Sequence, residues 1–284
     1  MGDIVTMDDL TNQEIVAVLD DAERLVPVAR GDVYLPLLKG KVLANMFFEN
    51  STRTRMSFET AMKRLGGSVL NFTSIGTSVA KGETLYDTMQ MIDGYADVAA
   101  IRHPRQGAAQ YSADAVEIPI LNAGDGAGNH PTQTMLDLFT IRQAHGTLEG
   151  LNVVLVGDLR YGRTVHSLSH ALVRFGAKLT LVSPSTLKMP VEIVSDLREH
   201  GSEIMETESL EDQIAGADVI YVTRIQKERF PDEDEYAKVA GIYKIEASDL
   251  SGAMKGMIIM HPLPRVDEID PSVDSTEFAR YFEQ

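Results

Sequence analysis

The clearest absence in this sequence is cysteine, of which the chain has none among its 284 residues. Without thiols a protein can form no disulfide, cannot bind a metal through thiolate ligands and cannot use a cysteine nucleophile. The missing residue therefore excludes disulfide scaffolds, thiolate metal sites and cysteine-dependent enzymes together.

Long apolar runs are also missing. No uninterrupted run approaches the roughly 20 residues that a membrane-spanning helix requires. The first ten residues, MGDIVTMDDL, do not combine a basic segment with an apolar core, so they do not resemble a secretory signal. We therefore expect a cytoplasmic protein with no membrane partner.

Positive charge is scarce, because 26 basic side chains face 42 acidic ones and the formal net charge is -16. Such a balance argues against nucleic acid as a main partner. A solvated acidic surface is the simplest explanation of it. Any site for an anion must then be a local positive pocket within an unfavourable overall field.

Apolar, β-branched segments alternate with segments of helical periodicity along the chain. The predicted strands cover 41–48, 68–72, 98–101, 118–121, 151–156, 179–182, 219–222 and 257–260. The predicted helices cover 55–65, 84–95, 131–143, 164–175 and 190–200. This alternation predicts an α/β protein with two doubly wound parallel-sheet domains, residues 1–131 and 132–284, joined through the helix at 131–143.

Residues 47–59, FFENSTRTRMSFE, place arginines and hydroxyls at a strand-to-helix turn. Unpaired N–H groups and the helix dipole make such a start a good phosphate site, with Ser51 and Thr52 at its edge. Arg53 adds a charged contact and Thr54 another hydroxyl. Alternatively, Ser51 or Thr52 only caps the helix and the arginines lie on the surface. The pattern GxxxxGK[ST] is absent, which excludes a nucleotide P-loop.

Other candidate residues stand where a strand ends or a helix begins. Arg102 ends a short strand, at the edge where open α/β sheets gather ligands. His130 and Gln133 flank a proline that favours a helix start, although a lone histidine is more often structural. Arg163 follows a glycine-containing turn without the GxGxxG pattern, and Arg224 follows a strand. Taken singly, each arginine is equally well explained as a surface residue.

These stretches form long motifs in a known order. STRTRMSFE resembles the carbamoyl-phosphate-binding motif of the aspartate and ornithine carbamoyltransferases, and the resemblance covers nearly the whole chain. The other motifs are TSVAKGETLYDT at 77–88, RHP at 102–104, LNAGDGAGNHPTQTMLDLFTI at 121–141, VGDLRYGRTVHSL at 156–168, TRIQKERF at 223–230 and HPLPRVDEI at 261–269. The last three resemble the aspartate enzymes in particular, whereas ornithine enzymes usually carry HCLP in place of HPLP.

The resemblance implies that the first domain binds carbamoyl phosphate. In the family the matching residues hold the phosphate, contact the carbonyl oxygen or touch the carbamoyl group. They are Ser51, Thr52, Arg53, Thr54, Ser78, Lys81, Arg102, His130 and Gln133. Among these, Arg53, Thr54, Arg102 and His130 are implied to be catalytic, while we predict a structural, ion-pairing role for Arg55.

The second domain is implied to bind L-aspartate. The matching residues are Lys81, Arg163, Arg224, Gln226, Pro262 and Leu263. Arg163 and Arg224 suit two carboxylates because each guanidinium can pair with one of them in a fixed orientation. A second arginine facing the side-chain amine of ornithine would repel it, so this pair favours the dicarboxylic acceptor.

The implied reaction converts carbamoyl phosphate and L-aspartate to N-carbamoyl-L-aspartate and phosphate, an early step of pyrimidine synthesis. No metal, cofactor or covalent intermediate is implied.

The active site is expected in the cleft between the two domains of each subunit of a homotrimer, with the loop of Ser78 and Lys81 reaching a neighbouring subunit. A regulatory chain is left open as a further partner. The alternatives are another amine acceptor, such as ornithine, and a non-catalytic assembly subunit. Family members usually continue into a last helix, which we expect to be missing here.

Overall fold

The computed structural model describes residues 2–73, 81–126, 128–225, 236, 239 and 241–284. The chain forms two compact units, Met1–Met135 and Leu136–Gln284. Each unit contains one parallel sheet flanked by helices, of four and five strands respectively. The predicted α/β class with two parallel sheets is confirmed.

The first unit has the strand order β2-β1-β3-β4, with every neighbouring pair parallel. Its strands are β1 Val42–Phe47, β2 Ser68–Thr73, β3 Val98–His103 and β4 Ile120–Asp125. Its helices are α1 Asn12–Arg30, α2 Thr52–Arg64, α3 Leu85–Asp93, α4 Ala108–Ala113 and the first turn of α5 Pro131–His145. β1 and β3 are central and mostly buried, as expected for parallel strands that are covered on both faces.

Side-chain caps define several helix starts. Thr11 and Glu14 form a reciprocal capping box at the start of α1, and Gly31 ends that helix in a left-handed conformation. The Thr84 hydroxyl accepts the Asp87 N–H at the start of α3. Such local pairs place helix ends independently of the rest of the fold.

The second unit has the strand order β7-β6-β5-β8-β9, again with parallel neighbours. Its strands are β5 Asn152–Val156, β6 Lys178–Val182, β7 Ile204–Thr207, β8 Val219–Val222 and β9 Ile258–Met260. Its helices are the remainder of α5, then α6 Arg163–Val173, α7 Val191–Glu199 and α8 Glu211–Ile214. The core lies around β5 and β8, which bury nearly all of their residues.

Four elements differ from their predicted bounds in a way that concerns the site. β3 continues to His103, past the end predicted at residue 101, so it contains Arg102, and α6 begins at Arg163 rather than at residue 164. α2 begins at Thr52 rather than at residue 55, so Thr52, Arg53 and Thr54 belong to its first turn. β4 continues to Asp125, past the end predicted at residue 121. In the part of the chain that the structure describes, none of the helices has the length and apolarity that a membrane crossing needs.

Candidate active site

The predicted site residues cluster at the point in each sheet where the strand order reverses. In the first sheet the reversal lies between β1 and β3, and in the second between β5 and β8. Open parallel sheets bind ligands beyond the carboxyl ends of their strands at this point. Ser51 to Thr54 follow β1, and Arg102 is the penultimate residue of β3. Arg163 follows β5, and Arg224 follows β8.

The first group is the start of α2. Ser51 is the residue that precedes the helix, and within the described part of the chain its side chain makes no capping hydrogen bond. The structure therefore does not support the alternative that Ser51 is only a cap. Arg53 and Thr52 are exposed, and Thr54 is half-buried. This helix start combines backbone N–H groups, hydroxyls and a cation, which suits an oxyanion.

A buried asparagine that sequence reasoning missed holds α2 on the sheet. Asn45, in the middle of β1, donates from Nδ2 to the Arg55 carbonyl (3.0 Å) and to Asn71 Oδ1 (3.1 Å). Asn71 in turn donates to Glu59 Oε2 at 3.0 Å. The only signal in the sequence is a polar residue inside the apolar run KVLANMFF.

Arg55 contributes its carbonyl to that network. Hydrogen bonds from Lys63 and Asn71 lower the pKa of Glu59, and the charge of Arg55 adds a smaller effect in the same direction. The ion-pairing role that the sequence suggests for Arg55 stays a prediction.

Arg102 connects the turn after β1 to β4. Its Nη2 lies 3.1 Å from Glu49 Oε2, and its Nη1 donates to the Ala123 carbonyl at 3.1 Å. The Phe48 N–H donates to the Arg102 carbonyl at 2.8 Å. Arg102 therefore lies next to the segment that leads into α2, and its contact with substrate stays a prediction. Glu49 was not predicted, although it directly precedes the NSTRTR stretch.

His130 is buried at the start of α5. The Gln133 N–H donates to His130 Nδ1 at 3.3 Å, and the Thr132 hydroxyl lies 3.3 Å from the same nitrogen. Because Nδ1 accepts a backbone hydrogen bond, the proton of a neutral ring is on Nε2. His130 can then donate a hydrogen bond to a carbonyl oxygen, as the family role implies.

Asp125, which sequence reasoning also missed, shapes the loop that leads to His130. Its Oδ1 accepts the Asn129 N–H at 2.7 Å and its Oδ2 accepts the Gly107 N–H at 2.7 Å. Asn122 Nδ2 donates to Asp125 Oδ1 at 3.2 Å and to the Val5 carbonyl at 2.9 Å. These bonds tie the end of β4 to the start of α4 and to the N-terminal segment.

Three further predicted site residues belong to the first unit. Lys81 is exposed, and Gln133 is half-buried in the first turn of α5. Ser78 lies outside the described residues. Burial, and then the charge of Arg105, lower the pKa of His103, which lies beside Arg102 in the chain.

In the second unit, the turn after β5 presents Arg163 at the first position of α6. Asp158 Oδ1 accepts the Tyr161 N–H at 2.9 Å, which closes the turn. A Cβ added at Gly162 would lie 2.5 Å from the Asp158 carbonyl oxygen, so this close approach requires glycine. Arg163 is half-buried there.

Arg224 is set by the adjacent end of β8. Thr223 donates its N–H to the Val156 carbonyl at 2.8 Å and its hydroxyl to the same oxygen at 3.2 Å. These bonds extend the pairing of β8 with β5 as far as Thr223, and Arg224 follows directly, half-buried. The structure thus brings Arg224 and Arg163 to neighbouring strand ends. Gln226 lies outside the described residues.

The loop after β9 contains Pro262 and Leu263, both half-buried. Leu263 has a φ of +50°, which is unusual for a residue with a side chain, and its peptide bond to Pro264 is cis. The buried His261 accepts the Leu263 N–H at Nδ1 (2.8 Å), and its Nε2 lies 2.7 Å from Glu268 Oε1.

Glu268 is charged although it is buried. Burial alone would raise the pKa of Glu268, but hydrogen bonds from His261 and from nearby backbone N–H groups outweigh it and lower the pKa to about 2. Its Oε2 accepts the N–H groups of Val266 and Asp267, both at 3.0 Å. The predicted stiff loop is therefore held by a carboxylate as well as by its prolines.

A second buried network joins α5, β8 and the last residue of the chain. The Tyr221 hydroxyl donates to Asp137 Oδ2 at 2.9 Å, and Gln284 Nε2 donates to Asp137 Oδ1 at 2.5 Å. Gln284 Oε1 accepts the His261 N–H at 2.9 Å. Burial, and then the charge of Asp137, raise the pKa of Tyr221 well above its ordinary value, so its hydroxyl stays a donor.

Across the residues that the structure describes, no three His, Cys, Asp or Glu side chains are grouped so that they could hold a metal ion. The chemistry available at the two strand edges is hydrogen bonding by hydroxyls, imidazole and backbone N–H groups, and charge from guanidinium groups.

The fold and these cationic strand edges define an α/β protein suited to anionic ligands, and comparison with known proteins identifies its class. Residues 2–143 match the carbamoyl-P binding domain of aspartate/ornithine carbamoyltransferases, and residues 149–284 match the Asp/Orn binding domain. The aspartate carbamoyltransferase catalytic subunit of Archaeoglobus fulgidus is 54% identical over 285 residues, which cover 100% of this chain and 94% of that protein.

Solved structures agree with these matches. The catalytic subunit of M. jannaschii aspartate transcarbamoylase gives a TM-score of 0.93 at 50% identity, over 100% of this chain and 92% of that one. Aspartate transcarbamoylase from Trypanosoma cruzi, in complex with carbamoyl phosphate and aspartate, gives 0.94 at 41% identity, over 99% and 91%. This chain belongs to the aspartate/ornithine carbamoyltransferase family, as its motifs predicted.

Proposed function

We propose that this protein transfers the carbamoyl group of carbamoyl phosphate to the amine of L-aspartate, giving N-carbamoyl-L-aspartate and phosphate in pyrimidine synthesis. The observation that carries the proposal is the placement of cationic groups at the reversal point of each sheet. Arg102 and the start of α2 occupy that point in the first unit, and Arg163 and Arg224 occupy it in the second. The T. cruzi relative was solved with both carbamoyl phosphate and aspartate.

The first unit supplies the groups that would bind carbamoyl phosphate. The phosphate accepts hydrogen bonds from the N–H groups and hydroxyls at the start of α2 and a charged contact from Arg53. His130 Nε2, the Thr54 hydroxyl and the Arg102 guanidinium donate to the carbonyl oxygen, where negative charge develops. Loss of one such donor typically reduces the rate by about 10² to 10³.

The reaction itself requires no covalent enzyme intermediate. The neutral amine of aspartate attacks the carbonyl carbon, a C–N bond forms, and the C–O bond to phosphate breaks with its electron pair leaving on phosphate. The departing phosphate takes the amine proton. Catalysis then rests on orientation of the two substrates and on stabilisation of the oxyanion.

The second unit would select the acceptor. Arg163 and Arg224 pair with the two carboxylates of aspartate, and Gln226 assists Arg224. The carbonyl groups of Pro262 and Leu263 orient the amine and the carbamoyl NH2. A guanidinium pair that suits two carboxylates would repel the second amine of ornithine.

The wider assembly is also part of the proposal. We infer that residues 1–131 form the carbamoyl-phosphate-binding domain and residues 132–284 the aspartate-binding domain. A homotrimer, in which Ser78 and Lys81 act in a neighbouring site, is what the family resemblance implies, and the cytoplasmic location expected from the sequence is part of the same proposal. The relatives are named catalytic subunits, which supports a search for a regulatory partner. Sedimentation of the purified protein with aspartate saturation curves tests the assembly.

The experiment that tests the function compares two arginine variants. Arg53→Ala should abolish turnover and the binding of carbamoyl phosphate, because it removes the charge at the phosphate position. Arg224→Ala should mainly raise the KM for aspartate, because it removes one carboxylate contact. Unchanged affinity for carbamoyl phosphate in Arg53→Ala would contradict the assignment.

The ornithine alternative is separated by assaying the wild-type protein with carbamoyl phosphate and either amine acceptor. Turnover with ornithine and none with aspartate would transfer the proposal to the sister activity. Absence of turnover with both acceptors would favour the non-catalytic assembly subunit.

A further inference from the structure

The loop after β9 is held by a buried pair that lies behind the residues proposed to contact the substrate. His261 and Glu268 are both buried, and neither was among the predicted site residues. Between them lie Pro262 and Leu263, whose backbone is proposed to meet the amine. The pair therefore lies where it could set the shape of the contact without touching the substrate.

The direction of each hydrogen bond in this pair is determined. His261 Nδ1 accepts the Leu263 N–H, so the proton of the neutral imidazole is on Nε2 and is donated to Glu268 Oε1. The other oxygen of Glu268 accepts the N–H groups of Val266 and Asp267. A carboxylate satisfies all three donors because it only accepts hydrogen bonds.

The backbone that these bonds hold is an unusual one. Leu263 adopts a φ of +50°, a region that residues with a side chain visit rarely and at a cost. The hydrogen bond from its N–H to His261 helps to keep it there. If His261 turned or changed tautomer, Leu263 would lose this bond. The Pro262 carbonyl, which shares a peptide plane with the Leu263 N–H, and the backbone of Leu263 would then be free to change direction.

We propose that Glu268, acting through His261, is a positioning residue that orients the Leu263 backbone for the amino-acid substrate. This inference rests on the proposed function. Glu268 fixes the imidazole in the tautomer that accepts from Leu263, and it fastens the far side of the loop through Val266 and Asp267. The pair is thus a determinant of aspartate binding rather than of phosphate binding.

The substitution Glu268→Gln isolates this role at nearly constant size. A glutamine amide cannot accept from His261 on one side and from two backbone N–H groups on the other, because one of its two polar atoms is a donor. If the amide NH2 faces His261, the imidazole must accept at Nε2 and donate at Nδ1, opposite the Leu263 N–H. If the amide NH2 instead faces the backbone, it meets the N–H groups of Val266 and Asp267. Each orientation of the amide therefore places two donors against each other.

A double-mutant cycle tests the proposal. Glu268→Gln and His261→Asn should each raise the KM for aspartate by about tenfold to a hundredfold, the usual effect of a small misplacement. The asparagine amide oxygen can replace Nδ1 as acceptor for Leu263 but cannot reach Glu268. The KM of the double variant for aspartate should not exceed that of the more impaired single variant, because the two residues act as one unit.

Calorimetric titration of each variant with inorganic phosphate should give a Kd within about twofold of the wild-type value, because the first unit is unchanged.

Glu246→Gln is the matched control. Glu246 caps the short turn Ala247–Gly252 in the same unit, and its carboxylate pairs with Lys244. The neighbouring Ile245 meets Glu268 only through the backbone, where its N–H donates to the Glu268 carbonyl, and the Glu246→Gln substitution leaves that bond in place. The KM of this variant for aspartate should stay within about twofold of the wild-type value, because the Glu246 side chain does not hold the residues that are proposed to contact the substrate.

The outcomes separate the two levels of proposal. An active wild type, with folded variants whose aspartate KM is unchanged or whose effects simply add, overturns the positioning role alone. Variants that do not fold, judged by circular dichroism, overturn it too, because the pair is then a structural element. A wild type that forms no carbamoyl aspartate defeats the proposed function, and the inference is withdrawn with it.

Discussion

At Gly157, the backbone at the end of β5 approaches β8 so closely that no side chain fits. A Cβ at this position would lie 2.2 Å from the Thr223 carbonyl oxygen, and the φ of +118° is one that residues with side chains rarely adopt. We expect Gly157→Ala to destabilise the protein by about 2 kcal/mol or more. It should also raise the KM for aspartate, because the clash displaces Thr223 and Arg224 directly follows Thr223. Urea unfolding and steady-state kinetics measure the two effects.

Gly216→Ala is the control for this substitution. Gly216 lies in the same unit, and an added Cβ there would meet nothing within 4 Å. The free energy of unfolding of Gly216→Ala should differ from that of the wild type by less than about 1 kcal/mol. Equal stability of Gly157→Ala and the wild type would show that the two strand ends can separate without cost.

The charge state of Glu268 makes a prediction about acid stability. The pKa of this carboxyl is lowered from its ordinary 4.5 to about 2 in the folded protein. A group with a lowered pKa stabilises the fold above its unfolded pKa, and this contribution is lost as pH falls from about 4.5 to about 2. We expect the wild type to lose more stability over this interval than Glu268→Gln, as measured by denaturant unfolding at each pH. Parallel pH dependence in the two proteins would contradict the role given to the hydrogen bonds of Glu268.

The residues that the sequence did not reveal share one property: their partners are far away in the chain or are backbone groups. Asn45 bonds to Asn71, and Asp125 bonds to Gly107. No periodicity marks such pairs, because they exist only after the strands have come together. Arg53 and Arg102 could be proposed from the sequence because their place at a strand or helix end is visible locally and the family motifs assign them a role.

At the scale of elements, the attachment of α2 to β1 is the feature most directly linked to phosphate binding. Asn45 is fully buried and contacts the carbonyl of Arg55, in the first turn and a half of α2. Asn45→Ala removes both hydrogen bonds and leaves a buried carbonyl without this donor, at a cost of about 1 to 3 kcal/mol. We expect weaker binding of carbamoyl phosphate, measured by calorimetry, together with a lower Tm.

Asn152→Ala is the matched control, because Asn152 is also a strand asparagine but is exposed at the start of β5. It should leave the affinity for carbamoyl phosphate unchanged. A loss of affinity as large as that of Asn45→Ala would mean that general destabilisation, and not the placement of α2, causes the effect.

The predicted elements agree best where apolar periodicity and caps act locally. The strand at 219–222 has the predicted bounds, and α3 starts directly after its capping residue Thr84. β4 was predicted too short because Asn122, Gly124 and Asp125 are poor strand formers when considered alone. They continue the strand because Asn122 bonds to the Val5 carbonyl and Asp125 to surrounding backbone N–H groups.

For the whole molecule, the number of sheets and their parallel strands followed from the alternation of strand and helix patterns. The order of strands did not, because pairing of β1 with β3 or of β5 with β8 depends on contacts between segments far apart in sequence. That order is what locates the site, since it places the reversal points beside Arg102 and Arg224. The family motifs supplied the location that periodicity could not.

A ligand that carries both a phosphonate and an aspartate group tests whether the whole chain acts as a carbamoyltransferase. A T. cruzi relative was solved with such a molecule, N-(phosphonacetyl)-L-aspartic acid. A ligand that binds only the folded state stabilises it by about 2.7 kcal/mol at a hundred times its Kd. We expect this ligand to raise the Tm of the wild type more than phosphate or succinate does. The increase in Tm should be smaller in Arg53→Ala and in Arg224→Ala than in the wild type.

Arg160→Ala is the control, because Arg160 lies in the turn before Arg163 but contacts the Thr186 carbonyl and the Tyr161 ring. An unchanged Tm of the wild type would favour the non-catalytic alternative, because a chain that binds neither half of this molecule has no means of bringing the two substrates together.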